Sequence, residues 1–289
     1  MRFKIIIAGI VFAILWGSAS TATKHALEYA QPFVISIIRF TVAAFLMLFI
    51  SHFILKERLP KKDEWRKLMV YGLLNISIYL GFFIIGMQYV SAGIASLFIA
   101  TNPVIISVLA AIWLKQPLKR ITILSLIICS AGILIAAYPL LQTSYVTPAG
   151  LLIVLLSMVS YSIGALYFSK QLWHGMHIIT INGWQTLFGG IFLLPFLFAT
   201  YEKEKNIFSW QLAASILWLV IPVSIVAVQL WLYLLKQNSV KASFWLFLCP
   251  IFGIMIAAVL LNEPISPYTV GGVALVLAGL WQVLGKRPT

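Results

Sequence analysis

Arg39 is the one lysine or arginine set inside an apolar stretch of this chain; the others stand between stretches or at their ends. A guanidinium in hydrocarbon costs roughly 2.5–3.5 kcal/mol on insertion scales. It must therefore snorkel toward an interface or find a partner. Two roles follow: Arg39 pins its helix to carbonyls or headgroups, or it faces a cavity and pairs with a solute carboxylate or phosphate. Further hydrogen-bonding groups lie equally deep. Asn75 and Tyr79 share one helix face at i, i+4, Asn102 stands beside Pro103, and Gln185 and Gln229 offer amides in later stretches. Trp16, Tyr161, Trp184, Trp231 and Trp245 also sit away from the stretch ends, where aromatic rings line small-molecule sites or simply pack. Pro103 and Pro250 fall near the middles of two stretches. Each frees a carbonyl and bends its helix, an irregularity tolerated at membrane depth where it lines a cavity or is buried in protein. The candidate solute-binding set is thus Trp16, Arg39, Asn75, Tyr79, Asn102, Tyr161, Trp184, Gln185, Gln229 and Trp245, with Pro103 and Pro250 as candidate gating kinks.

What is missing narrows the chemistry. All seven acids (Glu28, Glu57, Asp63, Glu64, Glu202, Glu204 and Glu263) lie at loops or helix ends, and the four histidines lie near ends as well. Cys129 and Cys249 match no metal or redox spacing. With no paired acids inside a stretch, no histidine-rich metal motif and no nucleophile elbow, neither catalysis nor a cofactor or metal is expected. The absence of a midplane acid also disfavours a buried proton or sodium relay. It favours a neutral, zwitterionic or anionic solute over a simple cation, although tryptophan faces could hold a cation.

These residues are positioned by an unusual chain. Of 289 residues, 62% are hydrophobic and 9% charged, with a mean hydropathy of +1.03, against about 25% charged in soluble domains. A bilayer core needs about 20 apolar residues per helix. Stretches of that order run over 5–23, 33–55, 68–88, 92–114, 121–140, 149–168, 178–199, 211–235, 241–261 and 267–285. The breaks carry punctuation or charge, as at Gln31-Pro32, Lys56 to Lys67, Gln116-Pro117 and Thr147-Pro148. The opening Met1-Arg2-Phe3-Lys4 and the small residues Gly17-Ser18-Ala19-Ser20 resemble a signal peptide, but the stretch has a counterpart at 149–168 and reads as a retained first helix. Trp65, Trp113, Trp173 and Trp210 read as an interfacial belt.

Charge orients the spans. With the N-terminus inside, sixteen lysines and arginines fall on inner loops and tails, and only Lys24, Lys203 and Lys205 fall outside. That asymmetry puts both termini in the cytoplasm. It also accounts for the net charge of +13 without nucleic acid, whose phosphates basic patches would otherwise bind.

Residues 95–132 slide onto 242–279 at a constant offset of 147 without a gap. Ala95, Ser96, Pro103, Ala110, Ala111, Leu114, Pro117, Thr122, Ala131 and Gly132 meet Ala242, Ser243, Pro250, Ala257, Ala258, Leu261, Pro264, Thr269, Ala278 and Gly279. Arg39 and Gln185 correspond at an offset of 146. The chain therefore divides into repeats 1–140 and 141–289. Five spans per repeat is an odd number, so the second copy enters the membrane inverted, a common basis of secondary transporters.

The chain resembles the EamA type of the drug/metabolite transporter superfamily. The resemblance rests on Leu15-Trp16-Gly17-Ser18, Lys24, Ile37-Ile38-Arg39-Phe40, and a proline-led helix, turn and glycine-bearing helix closing each half. In the second half these are Pro250, Leu261-Asn262-Glu263-Pro264-Ile265, Gly271-Gly272 and Ala278-Gly279. Gln116 departs from the pattern, standing where a glutamate is usual. The resemblance implies an all-α membrane protein of ten transmembrane helices in two inverted five-helix repeats, both termini cytoplasmic. It further implies a multi-pass protein of a bacterial plasma (inner) membrane, with lipids and a small-molecule solute as partners, acting as monomer or homodimer. The expected activity is export of a small metabolite, such as an amino acid, by alternating access. An exporter of cationic drug-like compounds and a lipid-linked flippase are the alternatives, with an intramembrane enzyme behind them.

Overall fold

The computed structural model describes residues 2–115, 117–143, 147–261 and 266–285. Met1, Gln116 and Asn262 through Ile265, named above, lie outside the described residues. Helical segments follow one another as α1 (Arg2–Ala26), α2 (Pro32–Ile54), α3 (Lys62–Gly86), α4 (Ala92–Trp113), α5 (Arg120–Thr143), α6 (Pro148–Lys170), α7 (Ile178–Thr200), α8 (Trp210–Gln237), α9 (239–261) and α10 (Pro267–Gly285). Among the described residues no β-strand occurs. Eight of these segments are long and apolar enough to cross a membrane, while α5 and α10 contribute shorter apolar stretches, Arg120–Ala136 and Val270–Val283.

The helix starts follow local chemistry. Pro32 and Pro148 occupy first turns, where no N–H is needed. The side chains of Ser91, Thr147, Ser209 and Asn238 accept from the N–H groups of Ile94, Gly150, Leu212 and Lys241, satisfying donors that a helix leaves open. At α3 the N–H of Lys61 donates to Glu64 at 2.6 Å.

Several helices depart from regular geometry. Wide π-helical turns occupy Ile50–Ile54, Leu73–Ile78 and Leu219–Ala227, the last containing Pro222; such turns are frequent at functional sites. α4 breaks at Ala100–Thr101, one turn before Pro103. The carbonyl that Pro103 strands is that of Ile99, and the Asn102 side-chain amide donates to it at 3.0 Å. Asn102 thus repairs the backbone its neighbour breaks.

Packing respects the internal duplication. α2 lies along α7 and α5 along α10; α1 packs on α8 and α9, as α6 packs on α3 and α4. Exchanging the halves leaves this pattern unchanged, so each repeat's first helix is gripped by the other repeat. Glycine permits the tightest approaches: a Cβ on Gly17 would strike the Cys249 carbonyl, and one on Gly72 the Gln185 carbonyl. One expectation is corrected here. Trp173 is not an interfacial ring but is buried against Tyr71 and Phe168, donating its indole N–H to the Phe168 carbonyl at 3.0 Å.

Candidate solute site

α1, α2, α3, α4 and α8 meet around a cavity of about 20 Å³ lined by Trp16, Ser20, Thr23, Arg39, Tyr79, Leu80, Phe83, Ile99 and Val223. A second void of about 10 Å³ adjoins it through Thr23, Arg39, Leu80 and Phe83. A single water needs roughly 10–15 Å³ on this measure, so the cavity has room for water and not for a metabolite.

Arg39 is 7% exposed and borders both voids. Its Nε donates to Ser224 Oγ at 2.8 Å, and its guanidinium lies 5.3 Å from the Phe40 ring centre. Among the described residues no carboxylate pairs with it. The Nη groups have no acceptor there either.

Ser224 links the arginine to a polar seam across the bundle. Asn182 Nδ2 donates to the Ser224 carbonyl at 2.9 Å and Asn182 Oδ1 accepts from Gln185 Nε2 at 2.9 Å. Gln185 Oε1 in turn accepts from Asn75 Nδ2 at 3.1 Å. Arg39, Ser224, Asn182, Gln185 and Asn75 therefore form one chain through α2, α8, α7 and α3. Two links use wide turns, which present Ser224 and Asn75 inward. Ser77 stands 147 residues before Ser224 and bonds the Gly189 carbonyl at 2.9 Å, so both wide turns grip the facing repeat through an equivalent serine.

A ring layer adjoins the cavity. Tyr161 lies 4.7 Å from Tyr79, 6.1 Å from Trp16 and 5.6 Å from Trp231, and Phe12 stacks on Trp231 at 5.2 Å. Burial normally satisfies polar atoms. Here Ser20 Oγ, Asn75 Oδ1, Tyr161 Oη and Trp231 Nε1 are buried without a partner, as is Gln229 Nε2.

The structure thus brings together Trp16, Arg39, Tyr79 and Tyr161, with Asn75 and Gln185 joined through the seam. Asn102 lies on α4 facing α6, where it also contacts Met158 Sδ and accepts from Ser162. Trp184 belongs to another cluster: it donates to His52 Nε2 at 3.1 Å and meets Trp65 edge-on at 4.6 Å. Trp245 packs against Gly9. Pro250 lies just beyond a tightened turn, Phe244–Phe247. Sequence reasoning missed Ser20, Thr23, Asn182 and Ser224. Asn182 carried a signal, a second amide at i−3 from Gln185 in an apolar run; serines in such helices carry none, because most bond their own backbone.

Two sets of loop contacts cap the bundle. At one end Arg58 pairs bidentately with the buried Glu64 at 2.7 Å and reaches the His174 carbonyl at 3.3 Å, while Lys67 reaches that of Leu172 at 3.2 Å. His174 adopts a left-handed conformation, φ 43°, beside Gly175 at φ 77°. At the other end Gln31 Nε2 donates to the Thr200 carbonyl at 2.7 Å. Its Oε1 accepts from the N–H of Glu202 and from Asn206 Nδ2 at 2.8 and 2.9 Å. The first set joins the α2–α3 and α6–α7 loops and the second the α7–α8 and α1–α2 loops. Exchanging repeats converts one pair of loops into the other.

Apolar helices whose packing is equivalent in the two halves surround a small, mostly apolar cavity beside one buried cation, an arrangement that inverted-repeat membrane transporters share. Sequence comparison agrees. The EamA-like transporter family matches residues 3–138 and again 148–285, and the chain belongs to that family, within the drug/metabolite transporter superfamily of transporters rather than enzymes. An uncharacterised transporter of Archaeoglobus fulgidus is 31% identical over 94% of this chain and 95% of its own. Protein PecM of Dickeya dadantii is 26% identical over 92% of this chain and 87% of its own. A probable amino-acid metabolite efflux pump of Salmonella typhimurium is 23% identical over 96% and 94%. A crystal structure of another protein superposes with a TM-score of 0.80 at 15% identity, covering 98% of this chain and 96% of that one, and shares the fold.

Proposed function

We propose that the chain crosses a bacterial plasma membrane ten times with both termini in the cytoplasm, and exports a small metabolite by alternating access between repeats 1–140 and 141–289. The solute is an amino acid or a similar neutral, zwitterionic or anionic compound, a reading supported by the Salmonella relative's name. The observation that carries the mechanism is the pair of symmetry-related loop latches at the two ends of a bundle that holds one small cavity. With the lysine asymmetry setting orientation, the Arg58–Glu64 set is the inner latch and the Gln31 set the outer. Opening one while the other holds exposes the cavity to one side at a time. Counterflow in proteoliposomes tests this: an excess of unlabelled solute inside should accelerate uptake of labelled solute, because a carrier returns faster loaded than empty. Flux that neither saturates nor shows counterflow would describe a pore instead.

A further inference from the structure

Arg39 is a buried cation whose charge nothing described nearby neutralises. A guanidinium stays protonated at any physiological pH; Ser224 and the Phe40 ring offset part of the cost of burying it, but its charge is neutralised only by an anion brought from elsewhere. Its Nε is held by Ser224, and a guanidinium so held keeps both Nη groups as a fork matched to a two-oxygen acceptor. Ser20 lines the same cavity, and its hydroxyl is buried and unpartnered.

Resting on the transport reading above, we infer that the solute carries a single carboxylate that docks on the Nη edge of Arg39, with Ser20 Oγ as an additional donor and an apolar body against Trp16, Tyr79 and Phe83. Charge decides the class. Among the described residues Arg39 is the only cation lining either void, so a carboxylate monoanion is neutralised one-for-one. A phosphate dianion would bring a second buried negative charge with no partner. Beyond the hydroxyls of Ser20 and Thr23, the rest of the cavity lining is aliphatic or aromatic, which suits a largely apolar body. Tyr161 Oη and Trp231 Nε1, unpartnered in the adjoining ring layer, are available to polar atoms at the far end of the solute.

The test uses purified full-length protein and matched compounds built on the side chains of alanine, valine, leucine and phenylalanine. Each side chain is presented as the amino acid, its deaminated carboxylate, its amide and its decarboxylated amine. Thermal stability is read against each pool, and against chloride and inorganic phosphate at equal concentration. A ligand that binds the folded state raises its apparent stability. The carboxylate-bearing pools should stabilise the protein and the amides, amines and inorganic anions should not. Arg39→Gln should weaken carboxylate binding at least about tenfold, whereas Arg39→Lys should keep the preference with lower affinity. The inference is overturned if no carboxylate pool stabilises the protein. It is equally overturned if amides or amines do as well, if chloride or phosphate matches the carboxylates, or if Arg39→Gln retains the preference. Should neither variant fold, the wild-type preference decides alone. Counterflow keeps the two readings apart: flux of amines without carboxylate preference removes this inference and leaves a carrier, while carboxylate binding without flux does the reverse.

Discussion

Replacing Gln31 by Ala removes the outer latch at its centre. The side chain makes three hydrogen bonds, to the Thr200 carbonyl, the Glu202 N–H and Asn206 Nδ2. The backbone bonds from Gln31 to Asn206 Oδ1 and from Ile207 to the Tyr29 carbonyl survive. A net hydrogen bond is worth about 0.5–1.5 kcal/mol, and partial exposure of Gln31 puts each of these at the lower end. Three at about 0.5 give about 1.5 kcal/mol, a shift of roughly tenfold toward the outward-open state. Thr23, which lines both voids, serves as reporter when changed to Cys. The native Cys129 and Cys249 are fully buried and should give little background. A membrane-impermeant thiosulfonate added outside should label Thr23→Cys about tenfold faster in the Gln31→Ala background. Arg58→Ala, which frees the inner latch, should slow the same labelling by favouring the inward-open state. If Gln31→Ala leaves the rate within twofold, or if Arg58→Ala accelerates it as well, the loops do not act as opposed latches.

Three further substitutions separate packing from solute contact. Tyr161→Phe deletes a buried hydroxyl without a partner, so stability should be unchanged or rise by about 1 kcal/mol while solute affinity changes; a clear loss of thermal stability would expose an unseen partner. Asn182→Ala strands the Gln185 amide and the Ser224 carbonyl and should cost about 1–3 kcal/mol, read as a lowered melting temperature in detergent. Gly72→Ala drives a methyl group into the Gln185 carbonyl. Because the methyl is fixed to the Gly72 backbone and meets a backbone carbonyl, neither side can move aside freely, and the penalty should be about 1–3 kcal/mol and appear as reduced stability together with slowed transport.

An all-helical chain with at least eight helices long and apolar enough to cross a membrane was legible in the sequence, because that depends on length and hydropathy. Arg39 was legible because a cation inside an apolar run is rare enough to demand a reason. The rest of the site was not, and for two physical reasons. Serine in a helix has a partner in its own preceding turn: Ser18, Ser157 and Ser243 bond the carbonyls of Leu15, Val154 and Val240. Nothing in spelling distinguishes these from Ser224, which a wide turn points at Arg39. Aromatic rings are ambiguous for a different reason. Trp16, Trp184 and Trp245 all fill space, and only tertiary contact separates the ring at the cavity from those packed on His52 or Gly9.

The duplication explains why the cavity sits where it does. Arg39 and Gln185 are equivalent residues on α2 and α7, and each bonds a wide turn of the opposite repeat, Arg39 reaching Ser224 and Gln185 reaching Asn75. In the second copy the side chain is a neutral amide that both donates, to Asn182, and accepts, from Asn75. In the first copy the same position carries a charge with unused donors, and the voids gather on that side, among α1 to α4 with only α8 from the other half. The helix packing thus keeps the exchange symmetry of the two halves, while the difference between Arg39 and Gln185 breaks it in charge. A single solute at one off-centre site is the arrangement that such a division favours.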